Sequence, residues 1–237
     1  MNDNITTFDF IVWERHILIS PEAKNILIDT GSPQSFHKDC VIKLGGKDFH
    51  VSNNIMGIDS DYLSRQLNFD ISGLIGMDII NEFSVWFNSP KFGNFIGFYD
   101  KSDYAGTPLK YQNLLGCPCI ELTVNNKKGL FLFDTGAPIS YVSSKLLTKE
   151  KECGRTTDFS PLMRSEKFEV SLFYLETNFT SGEGWYGGFN AMYAKMPKQL
   201  ELILSSYGID GIIGFDLINN NRLIVTNCSI AFPPQGI

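Results

Sequence analysis

Residues 25–35 read NILIDTGSPQS and residues 130–140 read LFLFDTGAPIS. In each, an apolar run ends at an aspartate and is followed by Thr-Gly, a small residue, Pro, one variable residue and Ser. A second matching pair lies downstream, ISGLIGMDIIN at 71–81 and IDGIIGFDLIN at 209–219. The first pair is displaced by 105 residues and the second by 138, so order is kept while spacing grows by 33. That pattern describes two homologous halves, the second carrying an insertion between Gly136 and Gly211. At average amino-acid usage one Asp-Thr-Gly is expected in only about one chain in twenty of this length. Two of them, in matching contexts, mark an internal duplication.

The surrounding sequence reads as β-structure. Short Ile/Val/Phe-rich runs at 8–12, 16–20 and 25–28 are separated by turn residues, as strands are. The second half repeats the plan, with alternation at Ile120, Leu122 and Val124, a tight turn at 125–128, and Leu130–Phe133 leading into the second aspartate. Helices are expected at 197–206, with Pro near the start and Gly208 as a stop, and at 61–68 with Asp59 or Ser60 as the cap. Short helical turns follow Asp78 and Asp216, and strands are expected at 85–87, 95–98, 223–225 and 230–232. Charge, Gly and Pro replace the apolar pattern at 101–113, which reads as a linker between an N-terminal lobe (1–100) and a C-terminal lobe (114–237). The expected fold is all-β and bilobed, with pseudo-twofold symmetry and few short helices. Each lobe is small for an independent core, so a shared interface is expected.

An aspartate at the end of a buried strand must find donors or keep a proton. Glycine after Thr allows a tight turn and leaves room for a ligand's backbone. Two such turns brought face to face would set Asp29 and Asp134 within hydrogen-bonding reach. Like charges so close cannot both ionise, so one proton is shared. The ionised carboxyl can then deprotonate a water while the protonated one polarises a carbonyl.

With these four segments, the chain resembles the aspartic proteases of the pepsin and retropepsin group. There, Asp-Thr/Ser-Gly sits on a wide loop threaded by an apolar-Gly strand. The resemblance covers the centres of both halves. It implies a catalytic pair of Asp29 and Asp134, with Thr30 and Thr135 bonding across the junction. Gly31 and Gly136 would lie near substrate backbone, and no metal or organic cofactor would be needed. Two lobes of near-retropepsin size in one chain look like a fused retropepsin dimer, acting as a monomer on a peptide or protein substrate. A catalytically inactive peptide-binding module of the same fold is the alternative.

Three departures carry further expectations. Ser32 follows the first Gly where Ala137 follows the second, so Ser32 should donate to Asp29 and favour its ionisation, extending activity to milder pH. Only 44 residues separate Asp29 from Gly73, which is tight for a flap in the first lobe. A single flap from the second lobe is expected instead, as a hairpin over 158–175 with its turn near 161–165 and Pro161, Leu162 and Met163 as substrate-facing candidates. The Gly- and aromatic-rich stretch 181–189, with Trp185, follows it as a substrate-lining candidate. No pro-segment is recognised before the first lobe.

Composition is compatible with this reading. The 237 residues are 43% hydrophobic and 19% charged, enough for a globular core. The net charge of −6, with no Lys/Arg run, argues against a nucleic-acid partner. Five sparse cysteines suggest a reducing compartment. The start lacks a basic and apolar signal pattern and no apolar run is long enough to span a bilayer, so a cytoplasmic location without membrane association is expected. Cys117-Pro-Cys119 lacks partners for a zinc site and reads as reduced, partly buried thiols. Asp78 and Asp216 read as helix-start residues rather than direct participants in chemistry.

Overall fold

The computed structural model describes residues 6–89, 93–100, 107–109, 111–161, 167–180, 186–227 and 229–233. It is mostly β-sheet, with four short α-helices among the described residues. The apolar run before the first aspartate forms the strand Ile26–Ile28, buried throughout. It pairs antiparallel with His16–Ile19 and parallel with Gly73–Ile75, in the register Ile26 to Gly73, Leu27 to Leu74 and Ile28 to Ile75. Gly73–Ile75 is flanked in turn by Phe36–His37, and Ile11–Trp13 completes a five-stranded sheet.

The second copy folds in the same register. Lys127–Phe133 pairs antiparallel with Cys117–Val124 and parallel with Gly211–Ile213, matching Phe131 to Gly211, Leu132 to Ile212 and Phe133 to Ile213. Ser140–Val142 takes the place that Phe36–His37 has in the first sheet. The turn of this hairpin is Asn125-Asn126, both at positive φ (45° and 64°), which asparagine tolerates better than most residues. The inserted residues form three strands, Glu152–Asp158, Phe168–Thr180 and Tyr186–Lys195, that widen the second sheet to eight. Pairing of Thr123 with Asn178 and of Val124 with Thr177 curls that sheet back onto itself.

A third sheet joins the halves. Ser84–Asn88 from the first half pairs antiparallel with Arg222–Val225 from the second. The pairing is reciprocal: Phe87 faces Leu223, the repeat counterpart of Val85, and Val85 faces Val225, the counterpart of Phe87. Thr6–Asp9 with Phe95–Tyr99, and Ile230–Phe232 with Thr107–Pro108, extend this sheet on either side. One buried apolar cluster runs through both halves, from Phe83, Phe87 and Phe98 to Phe131, Phe133 and Leu223. Arg15, at φ 66°, adds a polar tie between the halves. Its Nε donates to the Pro138 carbonyl and its Nη2 to Asp216 Oδ1, both at 2.5 Å, with the guanidinium over the Phe215 ring.

Two helices stand at equivalent places before the Gly-x-x-Gly strands. Ser60–Leu67 is capped by Asp59, whose Oδ1 accepts from Tyr62 N at 2.8 Å, and it buries Leu63 and Leu67. Lys198–Ser205 follows Pro197, buries Leu200 and Leu204, and is succeeded by Gly208 at φ 74°. Within the stretch read as a linker, Thr107–Pro108 and Tyr111–Leu114 take strand positions. Both lie at sheet edges, where backbone pairing needs no apolar pattern and Pro is tolerated. No helix among the described residues is long and apolar enough to cross a membrane.

Gly214 packs directly on the carbonyl of Ala137, and a Cβ there would fall within van der Waals contact of that oxygen. Around Gly154 nothing lies within 4 Å of an added Cβ. Gly214→Ala is therefore expected to lower unfolding free energy by about 2 kcal/mol or more, whereas Gly154→Ala should stay within about 0.5 kcal/mol. Urea titration of both variants checks the contrast.

Candidate active site

Each aspartate is fixed first by its backbone. Asp29 N donates to Ile75 O at 2.9 Å and Asp134 N to Ile213 O at 3.0 Å, so both residues ride on the parallel strand pair of their own half. The next residue in each copy, Thr30 or Thr135, is fully buried. Their bonds cross the junction reciprocally. Thr30 N donates to Thr135 Oγ1 and Thr135 N to Thr30 Oγ1, both at 3.0 Å. Thr30 Oγ1 donates to Phe133 O and Thr135 Oγ1 to Ile28 O, both at 2.7 Å. Every polar atom of this buried square is satisfied, as burial away from water requires.

The carboxyls stand just above. Gly31 N donates to Asp29 Oδ1 at 2.8 Å, and Gly136 N to Asp134 Oδ1 at 2.9 Å. Gly31 abuts the Asp134 carboxyl, while a Cβ on Gly136 would lie 2.6 Å from Asp29 Cγ. Glycine is required at both positions because each turn backs onto the other copy's carboxyl. Asp29 and Asp134 are hydrogen-bonded to each other and largely buried on the floor of a cleft. Surrounding protein pushes both carboxyls above their ordinary range, and the charge on Asp29 pushes Asp134 further. The pair titrates as a unit holding one proton between its members.

The expected bond from the Ser32 hydroxyl to Asp29 does not form. Ser32 Oγ donates to Gln34 O at 2.7 Å, because a bond within its own turn is closer to hand. The backbone of Ser32, not its side chain, helps Asp29 ionise. On the other side the backbone N–H of Ala137 reaches Asp134 Oδ1 at 3.1 Å, a bond that needs no hydroxyl.

Below the loops a second matched set acts as a brace. Ser35 Oγ donates to Asp78 Oδ1 and accepts from Gly76 N, and Ser35 N donates to Asp78 Oδ2. Ser140 Oγ donates to Asp216 Oδ2 and accepts from Gly214 N. Asp78 and Asp216 thus hold the aspartate loops from beneath, beyond their place in the first helical turn. The repeat includes Ser35 and Ser140, six residues after each aspartate, but the sequence reading gave them no role. Cys117 also adjoins the site, its thiol donating to Gly31 O at 3.2 Å. Burial and the nearby aspartates push that thiol up to about 12, so it stays protonated and unreactive.

The cleft over the pair is a cavity of about 220 Å³. Leu27, Phe36, Leu63 and Leu74 line it from the first half, and Leu132, Tyr141, Leu200 and Ile212 from the second. A hairpin from each half borders it. In the second half, Glu152–Asp158 pairs with Phe168–Thr180, and Phe159, Ser160 and Pro161 at its turn line the cleft. Leu162, Met163 and Trp185 lie outside the described residues. The first half is not without such an element, contrary to expectation. Asn54–Ile55 and Ile58–Asp59 form a six-residue hairpin whose turn carries Met56, 78% exposed, and Ile55, Met56 and Ile58 line the cleft. So short a hairpin fits into the interval that appeared too tight for one. Compared with known protein families and with curated proteins, the chain matches none.

Thr30→Val and Thr135→Val should each cost about 1–3 kcal/mol, since each strands buried backbone partners. The double variant should cost less than the sum, because both residues belong to one network, and denaturant titration of the three variants reads the coupling. The carboxyl pair also sets a pH dependence. With folded pKa values above the unfolded value of about 3.9, the native state holds the extra proton between the two, so the pair's contribution weakens stability as pH rises through that window. Asp134→Asn should therefore gain stability relative to wild type from mildly acidic to neutral pH and lose that advantage below the unfolded pKa. Melting temperatures across pH test the sign.

Proposed function

We propose that the protein is an aspartic endopeptidase with the bilobed, pseudo-twofold architecture of the pepsin and retropepsin group, working as a single chain without metal or organic cofactor. The observation that carries this reading is the hydrogen-bonded Asp29–Asp134 pair, largely buried at the base of a cleft and backed by the reciprocal Thr30–Thr135 bonds. Two aspartates kept only as strand-end turns would have no reason to be pressed together at the cost of their desolvation.

In this reading an extended peptide lies along the cleft beneath the two hairpins, its backbone pairing with their edges. A water between the carboxyls loses a proton to the ionised aspartate as its oxygen attacks the scissile carbonyl carbon. The protonated aspartate donates to the carbonyl oxygen, giving a tetrahedral diol. The proton taken from water then passes to the departing amide nitrogen and the C–N bond breaks, while a diol hydroxyl returns its proton to the other aspartate as the new carbonyl forms, restoring the one-proton pair. Gly31 and Gly136 permit close approach of the substrate backbone.

A cleavage assay on a diverse peptide library tests the proposal. Asp29→Asn and Asp134→Asn should each reduce kcat by about a thousandfold, the scale of a lost acid or base. Cleavage surviving either change would overturn the mechanism, and binding without turnover in the wild type would identify a peptide-binding module instead. Because burial raises both carboxyls, both limbs of the pH–rate profile move upward. The optimum should lie above the ordinary carboxylate range of about 3.9–4.3, and an optimum below about 3 would contradict the reading.

A further inference from the structure

Built from the same repeat, the two walls of the cleft differ in chemistry at one register position. Phe36 pairs with Leu74 in the first half, and at the equivalent place Tyr141 pairs with Ile212 in the second. The first wall is apolar there. In the second wall the Tyr141 hydroxyl donates at 2.5 Å to Oδ2 of Asp158, the last residue of the strand that enters the cleft-bordering hairpin. Asp158 is buried and lines the cleft, with Oδ1 accepting from Phe159 N at 2.8 Å. Two of its lone pairs are used and the others are open to a ligand.

His16 lines the same space, its ring stacked on Phe159. His16 Nδ1 lies against the Trp13 and Glu14 carbonyls at 3.3 and 3.1 Å. It therefore carries the hydrogen and leaves Nε2 as an acceptor, and burial pulls the imidazole down to about 4, so it is neutral. No Lys or Arg is among the described residues lining the cleft. Lys167, whose charge acts on Asp158, and Arg15 line an adjoining outer pocket that Asp158, His16 and Phe159 also border. The side-chain site next to Asp134 thus holds a partly desolvated carboxyl and an imidazole acceptor, with Arg15 and Lys167 on its outer side and no cation lining the cleft itself.

Resting on the protease reading, we propose that Asp158 forms a subsite for a basic side chain on one side of the scissile bond. The apolar wall of Phe36, Leu63 and Leu74 takes an apolar side chain on the other. The cleavage signature is asymmetric, Lys or Arg against a large apolar residue.

Matched peptides carrying Lys or its uncharged isostere norleucine at each position flanking the scissile bond test this near neutral pH. At one of the two positions wild type should favour Lys by about tenfold or more in kcat/KM, the scale of a charge-assisted hydrogen bond. In Asp158→Asn that Lys-to-norleucine ratio should fall toward unity, and Asp158→Glu should restore part of it. The same ratio, read as binding affinity in the Asp29→Asn variant, needs no turnover and so tests the subsite even if the chain proves not to cleave. Equal or better use of norleucine at both positions overturns the subsite while leaving the protease reading intact. A Lys preference that survives Asp158→Asn assigns the selectivity elsewhere and overturns it too.

Discussion

Two carboxyl groups pressed together repel unless a proton and a rigid frame hold them, and the rest of the structure follows from that constraint. The frame is the buried square in which Thr30 and Thr135 exchange backbone and hydroxyl bonds across the junction. Each threonine is tied to a carbonyl of the opposite strand, so neither aspartate loop can shift without breaking bonds in the other. Ser35 and Ser140, bonded to Asp78 and Asp216, fix the loops from beneath. The tight packing of Gly31 and Gly136 then leaves the carboxyls one place to go, against each other.

The sequence made the duplication, the strands leading to each aspartate and the pairing of Asp29 with Asp134 legible, because all depend on local pattern repeated twice. Strand register followed too, since residues 26–28 and 131–133 bear the same relation to their Gly-x-x-Gly partners. What stayed hidden depends on geometry that pattern does not encode. The Ser32 hydroxyl has several acceptors within reach, and its own turn supplies the nearest. The hairpin at 54–59 is too short for a visible alternation. Asp158 and Arg15 act on residues 17 and more than 100 positions away in sequence, respectively, through contacts that only the folded chain creates.

The insertion explains why the halves differ in weight without disturbing their centres. Its three strands attach to the outside of Ser140–Val142 and leave the pairing of Lys127–Phe133 with Gly211–Ile213 as it is in the first half. The added chain is spent on a long hairpin at the cleft's rim, where the first half has a six-residue one.

The sheet that joins the halves has a bearing on the order in which a ribosome delivers them. Ser84–Asn88 meets Arg222–Val225, and the strand backing Asp134 is not complete until Gly211–Ile213 has been made. Contacts of such long range close late. Asp29 and Asp134 are both synthesised well before Gly211–Ile213 and Arg222–Val225, yet they acquire their common setting only when those strands have emerged. A nascent or truncated chain that lacks Gly211–Ile213 or Arg222–Val225 therefore lacks the frame that holds the two acids together.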